Sequence, residues 1–308
     1  MVRAGTAVVA ALRDDVDRLL AAEPDVRADA WDSVHQMRVA TRRLRSVLRS
    51  YRTLFEATPI AEMQQELKWL AGLLGVARDA EVRAERFTAL LAAHAPQDEF
   101  ARLATKSTVP KAAGDGYAPG TTEYVRTELV DAERERYRNA HAQILAALDH
   151  HRYHTLRHRL SAWRTEPPLD PEQSKQPAAE VFERILRRDR KRLRRLVYAE
   201  PAVSPAERVD LLHDIRKAAK RLRYSCEAAT DVLGSAAKDL GTEAKHLQTV
   251  LGDHRDAVDS REAILARAAE AHDTGVNATI YELLADAEEI AAGEALAKYP
   301  AAATFVSG

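Results

Sequence analysis

The chain has 308 residues, 46% apolar, 30% charged and 6% aromatic, with a formal net charge of −1. That composition excludes a disordered chain and supplies one large core or two medium ones; the near-zero charge argues against an ordinary nucleic-acid-binding domain, which would be basic overall. The single cysteine, Cys226, rules out an internal disulfide and a cysteine-based zinc cluster, and no apolar run approaches the roughly 20 residues that span a bilayer, so a soluble cytoplasmic protein with no membrane partner is expected.

Alanine, leucine, arginine and glutamate dominate and period-two β-branched runs are absent, which predicts an all-α fold. MVRAGTAVVAALRDD, broken by Arg13, Asp14 and Asp15, begins an amphipathic helix over 5–22 and not a signal peptide. Helices follow at 31–55, 60–76, 79–94, 121–148 and 150–164, then at 178–199, 206–233, 236–251, 255–272 and 277–296. Connections fall at 105–120 (TKSTVPKAAGDGYAPG) and 165–177 (TEPPLDPEQSKQP). The two sides of the second connection resemble each other. VHQMRVATRRLRSVLRSYRTLF at 34–55 aligns with LHDIRKAAKRLRYSCEAATDVL at 212–233, an offset of 178 residues. ELKWLAGLLGVARDAEV at 66–82 aligns with EAKHLQTVLGDHRDAVD at 243–259, an offset of 177, and Leu12 and Leu19 stand opposite Leu186 and Leu193. Matched blocks in the same order indicate duplication. The expected architecture is one domain of two pseudo-repeats, 1–166 and 178–308, joined by a linker at 167–177. Each repeat would be an antiparallel helical bundle, and an internal pseudo-twofold axis would relate them.

At about 100° per residue, His35, Arg38, Arg42, Arg45 and Arg49 share roughly 80° of the helix that begins near Trp31. Val34, Met37, Leu44, Leu48, Tyr51 and Phe55 form the adjacent face, expected to be core. Residues 34–55 hold six arginines and no carboxylate. His213, Arg216, Lys220 and Arg223 repeat the first four stripe positions, and Glu227 replaces the fifth. Like charges three and four residues apart destabilise a helix, and surface helices usually interleave acids, as 12–23 and 128–138 do here. One acid-free run would ordinarily be a solvated face; two at matched positions point to an extended anion, for which arginine forks are well shaped.

Lys68 and Arg78, repeated as Lys245 and Arg255, lie on one side of the next helix, with Gly75 and Gly252 at equivalent places. Each glycine is expected to end a helix before Arg78-Asp79 or Arg255-Asp256 opens another, the aspartates acting as N-caps. ERILRRDRKRLRRL at 183–196 carries eight basic residues against two acids, and Arg188, Lys191 and Arg195 are its candidate anion contacts.

These residues resemble the CHAD family, named for conserved histidines in an α-helical domain. The resemblance rests on H-x-x-R-x-x-x-[RK]-R-L-R at His35–Arg45 and His213–Arg223, on L-G-x-x-R-D at Leu74–Asp79 and Leu251–Asp256, and on RLRY-x-x-E at Arg221–Glu227, and extends over essentially the whole chain. It implies two helical bundles around a basic cavity or channel, and non-catalytic binding of inorganic polyphosphate, often at polyphosphate granules. By position it implies a ligand-facing set of His35, Arg38, Arg42, Arg45, Lys68 and Arg78 with His213, Arg216, Lys220, Arg223, Lys245 and Arg255. The terminal GEALAKYPAAATFVSG has little of the aromatic and basic character that the resemblance implies for the final helix.

Near a helix N-terminus, His35 or His213 could donate to phosphate beside free backbone N–H groups; a structural role is the alternative. His150, His154 and His158 share a face, but no acid or cysteine completes a ligand set, so neither metal nor cofactor is expected. A phosphoanhydride-processing enzyme would need converging carboxylates on Mg²⁺, and there is no Walker loop and no paired-acid motif, only Asp79 and Asp256. Nucleic acid would want aromatic platforms, which the stripes lack. The acidic segment 282–294 is expected to face away from the stripes.

Overall fold

The computed structural model describes residues 2–95 and 117–306. Those residues are almost wholly helical, with two isolated β-bridges and no strand. In chain order the helices are α1 (Ala4–Ala21), α2 (Glu23–Arg27), α3 (Ser33–Ser50), α4 (Ala57–His94), α5 (Thr122–Arg126), α6 (Ala132–Asp149), α7 (His151–Trp163), α8 (Ala178–Ala199), α9 (Pro205–Leu233), α10 (Ser235–Asp273), α11 (Thr279–Ala297) and α12 (Tyr299–Ala302). Residues 105–116 of the expected first connection lie outside the described residues.

Local chemistry explains several boundaries. Ser204 and Glu207 form a reciprocal capping box at the start of α9, and Thr121 caps α5 by accepting from the Tyr124 amide. Gly234, at φ 65°, ends α9, and Gly275, at φ 72°, follows the end of α10. Gly75 and Gly252 do not terminate anything. The expected pairs 60–76/79–94 and 236–251/255–272 are single helices of 38 and 39 residues. Neither glycine takes positive φ, and each lies against an arginine: a Cβ at Gly75 would sit 3.9 Å from Arg38 Nε, and one at Gly252 3.5 Å from Arg216 Nε. Asp79 and Asp256 are therefore mid-helix residues and not N-caps, because the chain never leaves helical geometry ahead of them.

Two compact units are present, and each takes residues from both sides of the connection at 165–177. The first comprises Met1–Val76, Ala140–Gly252 and Lys298–Gly308; the second comprises Ala77–Asn139 and Asp253–Ala297. In the first, the apolar face read from 34–55 is buried as expected: Val34, Met37, Leu44, Leu48, Tyr51 and Phe55 are all at most 4% exposed. Leu12, Leu19, Leu186 and Leu193 join this core, and the Tyr51 ring packs edge-on to Phe182 at 4.6 Å. Residues 167–177 are pinned into it: the Asp170 amide donates to Leu54, Glu56 to Pro168 and Ala4 to Gln176. Gly5 permits this close approach, since a Cβ there would lie 2.9 Å from Ser174 Cβ. The second unit is built on Phe87, Leu91, Val125, Leu129, Ile264, Tyr281 and Leu284. No helix of the described residues is long and apolar enough to cross a membrane.

Candidate functional site

Within the first unit, burial of the apolar faces of α3 and α9 leaves their basic stripes at the boundary of the core. His35, Arg38, Arg42, Arg45, His213, Arg216, Lys220 and Arg223 are all partly buried, and Arg49 is exposed. The two stripes meet at Lys220. Its amine loses solvent through burial and feels Arg42, Arg216, Arg38 and Arg223, so its pKa falls from 10.5 to about 6. The Tyr224 ring, 5.8 Å from Nζ, is the aromatic neighbour. No carboxylate lies within 4.0 Å of Lys220 among the described residues, and the same holds for Arg45, Arg49 and Arg216. Burial, then Arg49, lowers the Arg45 pKa as well.

The two copies agree in detail. Nδ1 of His35 and of His213 are buried, as are Nε of Arg38 and of Arg216. Arg216 Nε has no hydrogen-bond partner among the described residues. His35 does sit in the first turn of α3. His213, however, is the ninth residue of α9, where the backbone N–H groups are consumed by the helix, so the N-terminal phosphate reading does not apply to it. The copies diverge at Glu227, which pairs with Arg223 at 2.7 Å and with Arg43 at 2.6 Å. Arg43 also reaches the buried Asp15 at 2.6 Å, whose carboxyl is pushed up to about 6 by burial.

Beyond Arg45 the stripe runs to a cleft of about 630 Å³ lined by Arg49, Arg52, Arg188, Asp189, Lys191, Arg192, Arg194, Arg195, Tyr198 and Arg221. The expected Arg49, Arg188, Lys191 and Arg195 are thus brought together. Asp189, 2% exposed, organises one wall: it binds Arg188 and Arg221 and accepts from the Ser50 and Ser225 hydroxyls at 3.0 and 2.9 Å. Arg52, Arg192, Arg194 and Arg221 were not singled out from sequence. The signal for Arg52 was present in the acid-free count over 34–55 and that for Arg192 in the turn-to-turn spacing 188, 191/192, 195 on α8; Arg194 and Arg221 lay outside both. Asp189 was hidden because one acid inside a basic run looks solvated. Of the cleft cations, Arg49, Arg52, Lys191, Arg192, Arg194 and Arg195 have no carboxylate within 4.0 Å among the described residues.

The remaining candidates are placed differently. Lys68 and Lys245 are exposed on α4 and α10 and do not line the cleft. Arg78 and Arg255 belong to the second unit, where each is paired on its own helix, to Glu81 at 2.8 Å and Asp259 at 2.6 Å. His150 caps α7 by accepting from the Arg152 amide, and His151, His154 and His158 are exposed. The acidic segment at 282–294 is partly internal: Glu288 is fully buried in the second unit and takes both 2.5 Å hydrogen bonds from Arg86.

Known proteins resemble this chain in sequence and in fold. The profile of the CHAD domain matches residues 10–265. Two uncharacterized Mycobacterium tuberculosis proteins, Rv2226 and MT2285, are 36% identical over 274 residues, which is 89% of this chain and 48% of theirs. The chain therefore spans about half the length of these curated relatives. Among solved structures, PptA from Streptomyces chartreusis matches with a TM-score of 0.74 at 19% identity, covering 97% of this chain and 99% of that one. The CHAD domain from the plant Ricinus communis matches with a TM-score of 0.61 at 23% identity, covering 100% and 92%. At these identities the structural likeness speaks for the fold. With the profile match over most of its length and the doubled histidine–arginine motif on α3 and α9, the chain belongs to the CHAD family.

Proposed function

We propose that the protein binds inorganic polyphosphate, or a closely similar linear polyanion, along the α3/α9 face of the first unit and into the adjoining cleft, without turning it over. One observation carries this reading. Lys220 is held among four arginines with no carboxylate in reach, an arrangement that costs free energy in the empty protein and is relieved when an anion arrives. A stability-driven sequence would have placed an acid there, as it did beside Arg43 and Arg223. Repeating guanidinium forks suit a repeating phosphate, and each contact releases counterions, which makes affinity fall steeply with salt. Cytoplasmic placement and association with polyphosphate granules belong to this proposal.

A catalytic reading finds no support in the cluster. The acid in the cleft, Asp189, is committed to two arginines and two serines, leaving no converging carboxylates for Mg²⁺. The test is titration with polyphosphate of defined length at two salt concentrations, beside Arg42→Glu and Lys220→Glu. Tight, salt-sensitive binding weakened by both substitutions is expected; a wild-type protein that does not bind refutes the proposal. Release of phosphate from polyphosphate with Mg²⁺ would restore the enzymatic alternative.

A further inference from the structure

The cleft of the first unit differs from the α3/α9 stripes in shape and in content. Along the stripes the cations follow one another turn by turn. In the cleft they converge on about 630 Å³ from four elements: Arg49 on α3, Arg52 in the 3-10 turn after it, a run of α8 that includes Arg188 and Arg195, and Arg221 on α9. A concave space of that size takes one small ligand. Its lining changes character along α8. At Arg188 the wall is braced: the buried Asp189 carboxylate holds Arg188 and Arg221, and Arg188 also donates to the Ser50 carbonyl at 2.8 Å. Ten residues further on, about 15 Å along the helix axis, the lining reaches the ring of Tyr198. That ring is 54% exposed, so it is no part of the core, and the Arg194 guanidinium one turn back lies 5.3 Å from its centroid. A bare phosphate chain offers nothing for an aromatic face to hold. A ligand with phosphates at one end and a flat heterocycle at the other uses both parts of the lining.

We propose that the cleft is a binding site for a purine nucleoside polyphosphate, with its phosphates on the guanidiniums of Arg188, Arg221 and Arg49 and its base on the Tyr198 ring. An extended nucleoside triphosphate covers a span of the order that separates Arg188 from Tyr198. Guanidinium forks match phosphate oxygens, and stacking on an aromatic side chain is open to any base, with a purine presenting more area than a pyrimidine. Arg194, beside the ring, stands on the path from base to phosphates. One platform carries one base, whereas a strand wants successive platforms, so the same cleft suits a mononucleotide and not a nucleic acid. The inference rests on the proposed use of this cleft by phosphate and adds a second ligand class that competes there with a polyphosphate chain. Nucleotide in the cleft would leave the α3/α9 stripes available and make polyphosphate affinity respond to nucleotide concentration.

The purified full chain is titrated calorimetrically, without divalent cations, with ATP, CTP and tripolyphosphate. Charge alone ranks tripolyphosphate first, because it concentrates more negative charge than either nucleotide. With the base seated, ATP is expected to bind at least as tightly as tripolyphosphate and at least threefold more tightly than CTP. In Tyr198→Ala the ratio of ATP affinity to tripolyphosphate affinity should fall at least fivefold, the loss of one stacked base, and Tyr198→Trp should restore or raise it. The unfolding midpoint of each variant checks the fold, which a half-exposed ring on the last turn of α8 contributes little to. Arg195→Glu should weaken both ligands together and leave the ratio near that of wild type. Tripolyphosphate that out-binds ATP, with a ratio unmoved by Tyr198→Ala, would overturn the inference and leave polyphosphate binding standing; so would an absence of ATP binding. Tyr198-dependent ATP binding in a protein that does not bind long polyphosphate would instead sink the proposed function and keep the nucleotide site.

Discussion

A lysine whose proton is expelled in the empty protein should take it back when an anion binds. The free amine titrates at about 6, far below its ordinary 10.5, because burial and Arg42, Arg216, Arg38 and Arg223 all disfavour its charge. Phosphate in the cluster reverses that penalty and returns the pKa toward the ordinary range. Linkage then sets the slope. Between pH 7.5 and 9.0 the empty site is deprotonated and the filled site protonated, so affinity falls by up to tenfold per pH unit, about 30-fold across the window. The window lies above ordinary imidazole titration and below that of Cys226, which burial pushes up to about 12, so neither confuses the reading. Lys220→Arg keeps the charge at every pH and should make the affinity nearly flat. Calorimetry at pH 8 in two buffers of different ionisation enthalpy should show uptake of about one proton by wild type and near none by Lys220→Arg. The empty protein obeys the opposite sign. Its unfolded chain binds the Lys220 proton up to about 10.5 and its folded chain only to about 6, so this group makes stability rise with pH between those values. An affinity that changes less than threefold from pH 7.5 to 9.0, or an equal slope in Lys220→Arg, refutes the reasoning.

Three further outcomes follow from particular contacts. Asp189→Ala should destabilise the protein by about 3–5 kcal/mol in urea unfolding, because it strands the Arg221 guanidinium and two buried hydroxyls on the cleft wall. Arg86→Ala should cost a similar ~3–5 kcal/mol by leaving the fully buried Glu288 unpaired; polyphosphate affinity should not change, which makes it the control for folding effects. Alanine at Gly75 and Gly252 meets only ordinary contact distances and should stabilise each helix by up to ~1 kcal/mol, whereas Gly252→Leu should displace the Arg216 guanidinium and weaken polyphosphate binding at least fivefold in the same titration.

The part of this architecture that sequence revealed is the part governed by periodicity. The acid-free stripe and the adjacent apolar face of 34–55 follow from 3.6 residues per turn, and burial of Met37, Leu44 and Leu48 beside partly buried Arg38, Arg42 and Arg45 is what that spacing requires. Helix ends were less legible. A glycine followed three residues later by Arg-Asp has the same letters whether it stops a helix or makes room for an arginine. Gly234 and Gly275 do stop helices, Gly75 and Gly252 do not, and the difference lies in an arginine from another helix. The cleft was half legible for a related reason. Arg49, Arg188, Lys191 and Arg195 sit on regular faces, while Arg52 lies in the short 3-10 turn Arg52–Leu54, and Arg221 is recruited by Asp189 across 32 residues. Regular spacing along one helix predicts neighbours on that helix and says little about which helix lies alongside.

Net charge deserves less weight than its distribution. A value of −1 argues against a polyanion partner only if charge is spread evenly, and here it is not. In the second unit arginines are matched: Arg83 with Glu133, Arg86 with Glu288, Arg126 with Glu123 and Asp131, Arg255 with Asp259, Arg261 with Glu289, Arg267 with Glu270. In the first unit Asp15 and Glu227 neutralise Arg43 and Arg223, but among the described residues Lys220, Arg45, Arg49 and the cleft cations other than Arg188 and Arg221 have no carboxylate within 4.0 Å. The sum is near zero because the second unit's acids outnumber its basic residues and offset the first unit's excess of cations. A surface so arranged would attract phosphate locally with little long-range pull on anionic chains in general. Aromatic residues offer little for a strand of bases: Tyr224 is buried, and Tyr198, half exposed, is the one aromatic side chain that lines the cleft. Under the proposed function, selectivity for a bare phosphate chain over nucleic acid would come from the scarcity of stacking platforms on the basic face as much as from the arginines it presents.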